Sequence, residues 1–221
     1  MIDYNPYSKQ LSDKEIESGE HRKFVGSYWE EIGILQFEYL LNAGLKPHHK
    51  ILDLGCGALR GGIHFIKYLN DGKYTGVDAN RSLIKAGQIE LKKMNLDHKY
   101  FKLIVDENFN YQTWGYKFDY ILSVSLFTHL PKLKIKECLK AVSKTISPRG
   151  KYFTTFFRHK CKSYCNFSKH TDYGIKTYDN EDPYHQTVTE LREIANSINL
   201  KFEYKGKWNH PRGQEMILIR K

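Results

Sequence analysis

Two glycines one residue apart, Gly55 and Gly57, follow directly on the apolar run Lys50-Ile51-Leu52-Asp53-Leu54, and an acid, Asp78, stands in the next apolar segment, Tyr74-Thr75-Gly76-Val77-Asp78. Glycine is needed where a sharp strand-to-helix turn must bring backbone close to a ligand with no Cβ between them. An acid about 20 residues further on lies at the spacing one β-α-β unit imposes, where a carboxylate can accept hydrogen bonds from both hydroxyls of a ribose. A dinucleotide fingerprint would continue as G-x-G-x-x-G, but Arg60 fills the last position, and Asp53 sits where it would repel a pyrophosphate. The loop reads as a ligand cradle, and not one for a dinucleotide.

A second set of residues suits proton transfer and anion holding. His129, in Ser125-Leu126-Phe127-Thr128-His129-Leu130, follows a predicted strand at Phe118 to Val124, and strand carboxyl ends line the ligand crevice of open α/β sheets. It is the first candidate for a general base; the structural alternative is a packing histidine beside Pro131. His210, the other candidate base, and Arg212 lie in the loop between the last two predicted strands, with Gln214 beside them as a candidate substrate contact; the structural alternative is a tight turn shaped by Pro211 and Gly213. Tyr184 and His185, ahead of the last long helix, are further candidates for the acceptor pocket. A neutral hydroxyl needs a base before it attacks, a task in which a positioned histidine contributes about 10²–10⁴-fold. An anionic oxygen needs a cationic clamp, for which Arg60 and Arg212 are the candidates. His159, Cys161, Cys165 and His170 fall close together, but their spacing does not match the usual zinc arrangements, and no metal is expected.

The elements that must position these groups alternate. A helix over Phe24–Leu45, ended by Gly44, precedes a strand at 50–54, a helix at 59–69, a strand at 74–78, a helix at 82–94 and a strand at 100–105. After an aromatic loop come a strand at 118–124, a helix from Pro131 to Ile146 and a strand at 150–157. A polar loop over 159–183, a helix at 188–198 and a closing hairpin of strands at 201–205 and 216–220 complete the chain. Such alternation with short connections gives a mostly parallel sheet covered by helices. The length of 221 residues, with no linker or repeat, predicts one domain.

Composition excludes several classes. With 40% hydrophobic and 27% charged residues the chain is neither disordered nor collagen-like. The longest run free of charge and turn residues, 120–127, is far short of the roughly 20 needed to span a bilayer. No secretory signal is visible at the amino terminus, and four cysteines do not make a disulfide framework at this size, so a cytoplasmic location is expected. The net charge of +10 favours anionic ligands, although the lysines are scattered. It also leaves an RNA-directed, non-catalytic binding protein as the alternative from another class.

The string Ile51-Leu52-Asp53-Leu54-Gly55-Cys56-Gly57 resembles motif I of class I S-adenosylmethionine (SAM) dependent methyltransferases, and Asp78 resembles their ribose-binding acid. Phe118-Asp119-Tyr120-Ile121-Leu122-Ser123 is similar to their fourth strand, and the closing hairpin to their antiparallel seventh strand. The resemblance implies a Rossmann-like seven-stranded, mostly parallel α/β sheet with an antiparallel last strand and helices on both faces. It divides the chain into a helical lid (1–45), a SAM-binding core (46–158) and an acceptor side (159–221).

It further implies cofactor contacts from Asp53, Gly55, Cys56, Gly57, Arg60, Asp78 and Ser123, with Asp106 against the adenine and Trp29 and Gln36 from the lid. The longer strings Gly55-Cys56-Gly57-Ala58-Leu59-Arg60-Gly61-Gly62, Phe127-Thr128-His129-Leu130 and His210-Pro211-Arg212-Gly213-Gln214 resemble a bacterial small-molecule subgroup associated with surface-polysaccharide tailoring. That implies O-methylation of a small anionic or nucleotide-linked sugar or phosphate-type acceptor, phosphoramidates included. The Asp/Asn-Pro-Pro-Tyr expected of DNA amino-methyltransferases is replaced by Ser123-Val124-Ser125-Leu126, so DNA is not an expected partner.

Overall fold

The computed structural model describes residues 8–159, 167–170 and 174–221. Cys161, Cys165 and the side chain of His170 lie outside that description. The chain divides into two compact units, Met1–Asn108 and Phe109–Lys221.

In the first unit, α1 (Asp13–Glu17) is opened by Ser12, whose hydroxyl oxygen accepts the Glu15 amide while the Glu15 carboxylate accepts the Ser12 amide. This reciprocal cap satisfies two amides that the first turn cannot. The single helix expected from Phe24 to Leu45 is instead α2 (Glu20–Phe24) and α3 (Trp29–Asn42). The break falls at Gly26, Ser27 and Tyr28, whose φ of 94°, 56° and 48° no right-handed helix accommodates. The apolar spacing hides it, because Phe24, Val25 and Trp29 all still pack on one cluster with Leu11, Ile16, Ala58, Leu83 and Ala86. Gly44 ends α3 as expected, with φ 96° and with the Gly44 and Leu45 amides donating to the carbonyls of Leu41 and Leu40.

The wholly buried β1 (Ile51–Leu54) leads into the glycine loop and α4 (Gly62–Tyr68). That helix starts later than expected because Leu59 has φ 66°. β2 (Tyr74–Asp78) pairs parallel with β1, Ile51 opposite Tyr74 and Leu54 opposite Val77. Asn80 caps α5 (Arg81–Lys93) by accepting the Ser82 and Leu83 amides, and β3 (Lys102–Val105) runs parallel to β2. α3 lies close on the start of α4 through two glycines. A Cβ on Gly61 would stand 2.2 Å from the Gln36 side chain, and one on Gly33 2.7 Å from the Arg60 carbonyl oxygen.

Glu90 of α5 is 1% exposed and anchors α2. Its carboxylate lies 2.9 Å from His21 Nε2 and accepts from Arg22 Nη2 at 2.6 Å, with Lys93 3.6 Å away. Burial alone would raise this carboxyl. The hydrogen bonds from His21 and Arg22 and the charges of Arg22 and Lys93 outweigh it and hold the value at about 2. A carboxyl depressed in the folded state contributes its stability above the unfolded value, near 4.5, and loses it as the pH falls towards 2. Glu90→Gln is therefore expected to destabilise the protein by about 3 kcal/mol at neutral pH. Thermal melts of both proteins should converge as the pH is lowered from 5 to 2; a constant gap would refute the electrostatic origin.

In the second unit, β4 (Phe118–Ser123) is followed by α6 (Lys132–Thr145), which passes into β5 (Ile146–Arg158) with no intervening loop. β5 begins before the expected Gly150, since Ile146 already pairs with Phe118. The parallel β4–β5 register shifts between Phe118 and Tyr120, opposite the stretch that contains Pro148, which has no amide to donate. The region expected as loop contains an antiparallel ribbon of β6 (Phe167–His170) and β7 (Ile175–Tyr178). Just after that region, β8 (His185–Gln186) runs parallel to the end of β5.

α7 (Val188–Asn196) carries a second reciprocal cap, Thr187 with Glu190. β9 (Lys201–Lys207) and β10 (Glu215–Arg220) form the expected hairpin, and β10 also runs antiparallel to β5. The architecture is α/β and Rossmann-like, mostly parallel with an antiparallel last strand. Among the described residues three strands belong to the first unit's sheet and five to the second's, one more than the seven expected, the addition being β8. No helix among the described residues is long and apolar enough to cross a membrane.

Candidate active site

The carboxyl ends of β1 and β2 bring the first set of predicted residues together. Asp53 is 4% exposed and accepts the Tyr74 hydroxyl at 2.7 Å. Burial is the main cause that pushes its carboxyl up to about 7; the Tyr74 bond opposes the shift and the charge of Asp78 adds to it. Gly55 and Gly57 have φ of 71° and 55°, and the amides of Gly55 and Cys56 both donate to the Val77 carbonyl. The Cys56 thiol is buried and pushed well above its usual range by burial and by the charges of Asp78 and Asp53, which makes it a packing group and not a nucleophile.

Asp78 closes the loop. One carboxylate oxygen accepts the Gly57 amide and the other the Asn80 amide, each at 2.8 Å. Burial raises this carboxyl against the pull of those two amides. Each carboxylate oxygen has two acceptor positions, so two donors, such as the paired hydroxyls of a ribose, can still be accommodated. Asp106, just past β3, gives its amide to the Asp78 carbonyl, and its Oδ1 accepts the Asn108 amide.

Three predicted cofactor contacts are used differently. Arg60 Nη1 donates to the carbonyls of Val25 and Ser27 at 3.1 and 2.9 Å, so this guanidinium clamps the turn between α2 and α3. Trp29 lies under the Arg22 guanidinium, 4.9 Å from the ring centroid, with the His21 ring edge-on at 5.9 Å. Gln36 is buried against Gly61. All three serve the packing of α2, α3 and α4 on one another.

In the second unit, two of the predicted residues are buried in hydroxyl networks. Ser123, expected at the cofactor, is fully buried, and its hydroxyl bonds to Thr154 Oγ1 and to the Tyr152 hydroxyl, both at 2.7 Å. Gln214, expected at the substrate, is 3% exposed; its Oε1 accepts from Thr155 Oγ1 at 2.6 Å and its Nε2 donates to Ser125 Oγ at 2.8 Å. This network holds Ser125 at φ 67°, with its amide on Thr155 Oγ1, and so fixes the turn that follows β4.

That turn carries His129 in the short 3-10 segment Phe127–His129. His129 Nδ1 lies 2.7 and 2.9 Å from the two carboxylate oxygens of Asp182. The carboxylate accepts Nδ1–H, which places the basic lone pair of the neutral ring on Nε2. Sequence reasoning missed Asp182, which is 53 residues away and stands in no motif.

His210, the other candidate base, is 3% exposed, stacks on Trp208 and uses Nδ1 to accept the Arg212 amide at 3.2 Å. Its neutral ring therefore carries the proton on Nε2 and is a donor, while the Gly213 amide closes a tight turn onto the His210 carbonyl. Tyr184 and His185 are also interior. The Tyr184 amide donates to the Thr128 carbonyl at 2.7 Å, and His185 bonds Thr177 Oγ1 at 3.0 Å and stacks on His159. The Tyr184 amide thereby braces the His129 turn.

Residues 52–152 match the methyltransferase domain family. Over that stretch the chain resembles a methyltransferase domain. In sequence it is 27% identical to (S)-coclaurine N-methyltransferase of Papaver somniferum over 176 residues, 74% of this chain and 47% of that relative, so the chain spans about half the length of the curated relative it matches. In structure the CcbJ methyltransferase from Streptomyces caelestis aligns with a TM-score of 0.67 at 12% identity, over 98% of this chain and 99% of that one. Magnesium protoporphyrin IX methyltransferase from Synechocystis with bound SAM aligns with a TM-score of 0.62 at 12% identity, over 98% and 88%. These neighbours share the fold.

SAM is the cofactor of the methyltransferase domain. The residues present fit it: the left-handed glycines leave the backbone of the loop bare, and Asp78 retains acceptor positions that the paired hydroxyls of a ribose would suit.

Proposed function

We propose that the chain transfers the methyl group of SAM to an oxygen that must first lose a proton, on a small sugar-type acceptor. The observation that carries this reading is the His129–Asp182 pair. SAM, when bound, supplies a methyl group on a positively charged sulfur that leaves as a neutral thioether. The rest falls to the chain. His129 Nε2 takes the hydroxyl proton as the oxygen–carbon bond forms and the carbon–sulfur bond breaks, and the Asp182 carboxylate balances the charge that arrives on the imidazole.

An acceptor already anionic at the reacting oxygen, a phosphate or phosphoramidate, would need a clamp instead. Its support is weaker, because Arg60 is engaged by the Val25 and Ser27 carbonyls. The resemblance to surface-polysaccharide enzymes and the +10 charge favour an anionic or nucleotide-linked sugar in capsule or surface-glycan synthesis. A nitrogen acceptor is the second reading, favoured by the N-methyltransferase relative; the same pair would serve it by removing an ammonium proton.

The test is methylation from SAM of a panel of nucleotide sugars, sugar phosphates and amines, with the methylated atom located by mass spectrometry. An O-methyl sugar is the expected product; a phosphate methyl ester or an N-methyl product would replace the reading. Asp182→Asn keeps the shape but not the charge. It is expected to lower kcat by roughly 10- to 150-fold, the value of one hydrogen bond to a charged group, with KM unchanged. Equal kcat in both proteins would remove Asp182 from the mechanism.

A further inference from the structure

The second unit has another constellation at the opposite end of its strands. Arg149, Lys151, Lys201, Arg220 and Lys221, with the main chain of Pro148 and Gly150, line a groove of about 320 Å³. It is formed where β5 and β9 begin and β10 ends. Along β5, Arg149 is six residues from Thr155, which holds the His129 turn through Ser125, so about 20 Å separates the groove from that turn. It belongs to neither the cofactor loop nor the proposed base.

Five cationic side chains line this groove and no acidic side chain does. Of these five, Arg220 is already paired with an acid. Glu203 is shared by Arg220 at 3.1 Å and Lys205 at 2.8 Å, and Asp119 accepts the Ser147 hydroxyl. Lys151 lies over the Tyr120 ring at 5.5 Å. Among the described residues Arg149, Lys201 and Lys221 make no ion pair. The base of the groove is held by packing, since a Cβ on Gly150 would stand 2.5 Å from Ile146 and 3.0 Å from the Phe118 carbonyl oxygen.

Like charges gathered at one place repel one another, and an anion that bridges them relieves the repulsion. Two guanidiniums with three ammoniums suit a ligand with several phosphate groups, because arginine holds phosphate oxygens in pairs and lysine adds point charge. A single-stranded nucleic acid would call for aromatic faces on which bases stack, and a membrane surface for exposed apolar side chains. None of the exposed large hydrophobic residues, Tyr28, Ile34, Met94, Tyr100, Val105 and Leu133, lines the groove.

We propose that this groove is a separate anion site that binds a short chain of phosphates. The test is calorimetric titration of the protein, saturated with S-adenosylhomocysteine, with inorganic tripolyphosphate at about 50 and 200 mM salt. One saturable site is expected, weaker at the higher salt. Affinity should fall at least tenfold in the double variant Arg149→Gln, Lys201→Gln, while the affinity for S-adenosylhomocysteine and the melting temperature stay unchanged. If the double variant melts early, Arg149→Gln alone is expected to weaken binding in the same direction. Absence of saturable binding, or equal affinity in the variants, would overturn the site. Tighter binding of a single-stranded oligonucleotide or of phosphatidylglycerol vesicles through the same residues would overturn the oligophosphate assignment.

Discussion

His129→Ala is expected to lower kcat by about 10²–10⁴-fold and to leave the affinity for S-adenosylhomocysteine unchanged. The first half follows from chemistry: a hydroxyl that keeps its proton is a poor nucleophile, and the Nε2 lone pair of His129, whose ring is held by Asp182, is the group proposed to remove it. The second half follows because the groups expected to hold the cofactor are Asp78 and the glycine loop, and His129 makes no hydrogen bond that shapes either of them among those described. The pair also predicts strong non-additivity. Once the imidazole is gone Asp182 has nothing to orient, so His129→Ala with Asp182→Asn should be no slower than His129→Ala alone. Single-turnover rates at saturating SAM would check this. Full turnover by His129→Ala would end the base-assisted reading and leave alignment as the chain's main contribution, as an already anionic acceptor requires.

Asp78→Ala should act on the cofactor instead. Two hydrogen bonds from ribose hydroxyls to a carboxylate, at about 1.5–3 kcal/mol each, correspond to a loss of roughly 10²–10⁴-fold in affinity for S-adenosylhomocysteine. The substitution also releases the Gly57 and Asn80 amides, so some stability will go with it; Asp78→Asn, which keeps one acceptor oxygen, should lie between the two proteins in both respects. The pH dependence has a definite sign. Burial raises this carboxyl above an ordinary aspartate, and the hydroxyls need it ionised, so affinity should decline on acidification at a higher pH than an exposed aspartate would show. Calorimetry across that range reads both effects, and an Asp78→Ala protein with undiminished affinity would refute the ribose assignment.

The cofactor half of the site was legible because its signal is local. A strand, two glycines and an acid one β-α-β unit later are constrained by the geometry of a single turn, and Asp53, Gly57 and Asp78 stand where that geometry requires. His129 was legible for a similar reason, as the residue that follows a strand end. Asp182 was not, since nothing in a polar stretch 53 residues away marks one aspartate over its neighbours.

The hydroxyl networks that hold Ser123 and Gln214 were not legible, because residue type does not reveal which side of a strand end a side chain takes. The α2–α3 break escaped for a physical reason too. Of its three left-handed residues two are Ser27 and Tyr28, types that carry no turn signal as strong as glycine's. The strands β6 to β8 lie in a segment whose alternation is too polar to stand out.

Arg60 makes that break more than a detail of chain tracing. A helix-start guanidinium that grips two carbonyls of a left-handed turn makes residues 25–28 cooperative with the segment behind the glycine loop. Local opening of the turn would strip Arg60 of two acceptors and loosen the contact of Gly33 and Gln36 with the chain around Gly61. The amino-terminal helices thus act as a keystone for the cofactor loop, and their melting is expected to loosen its shape.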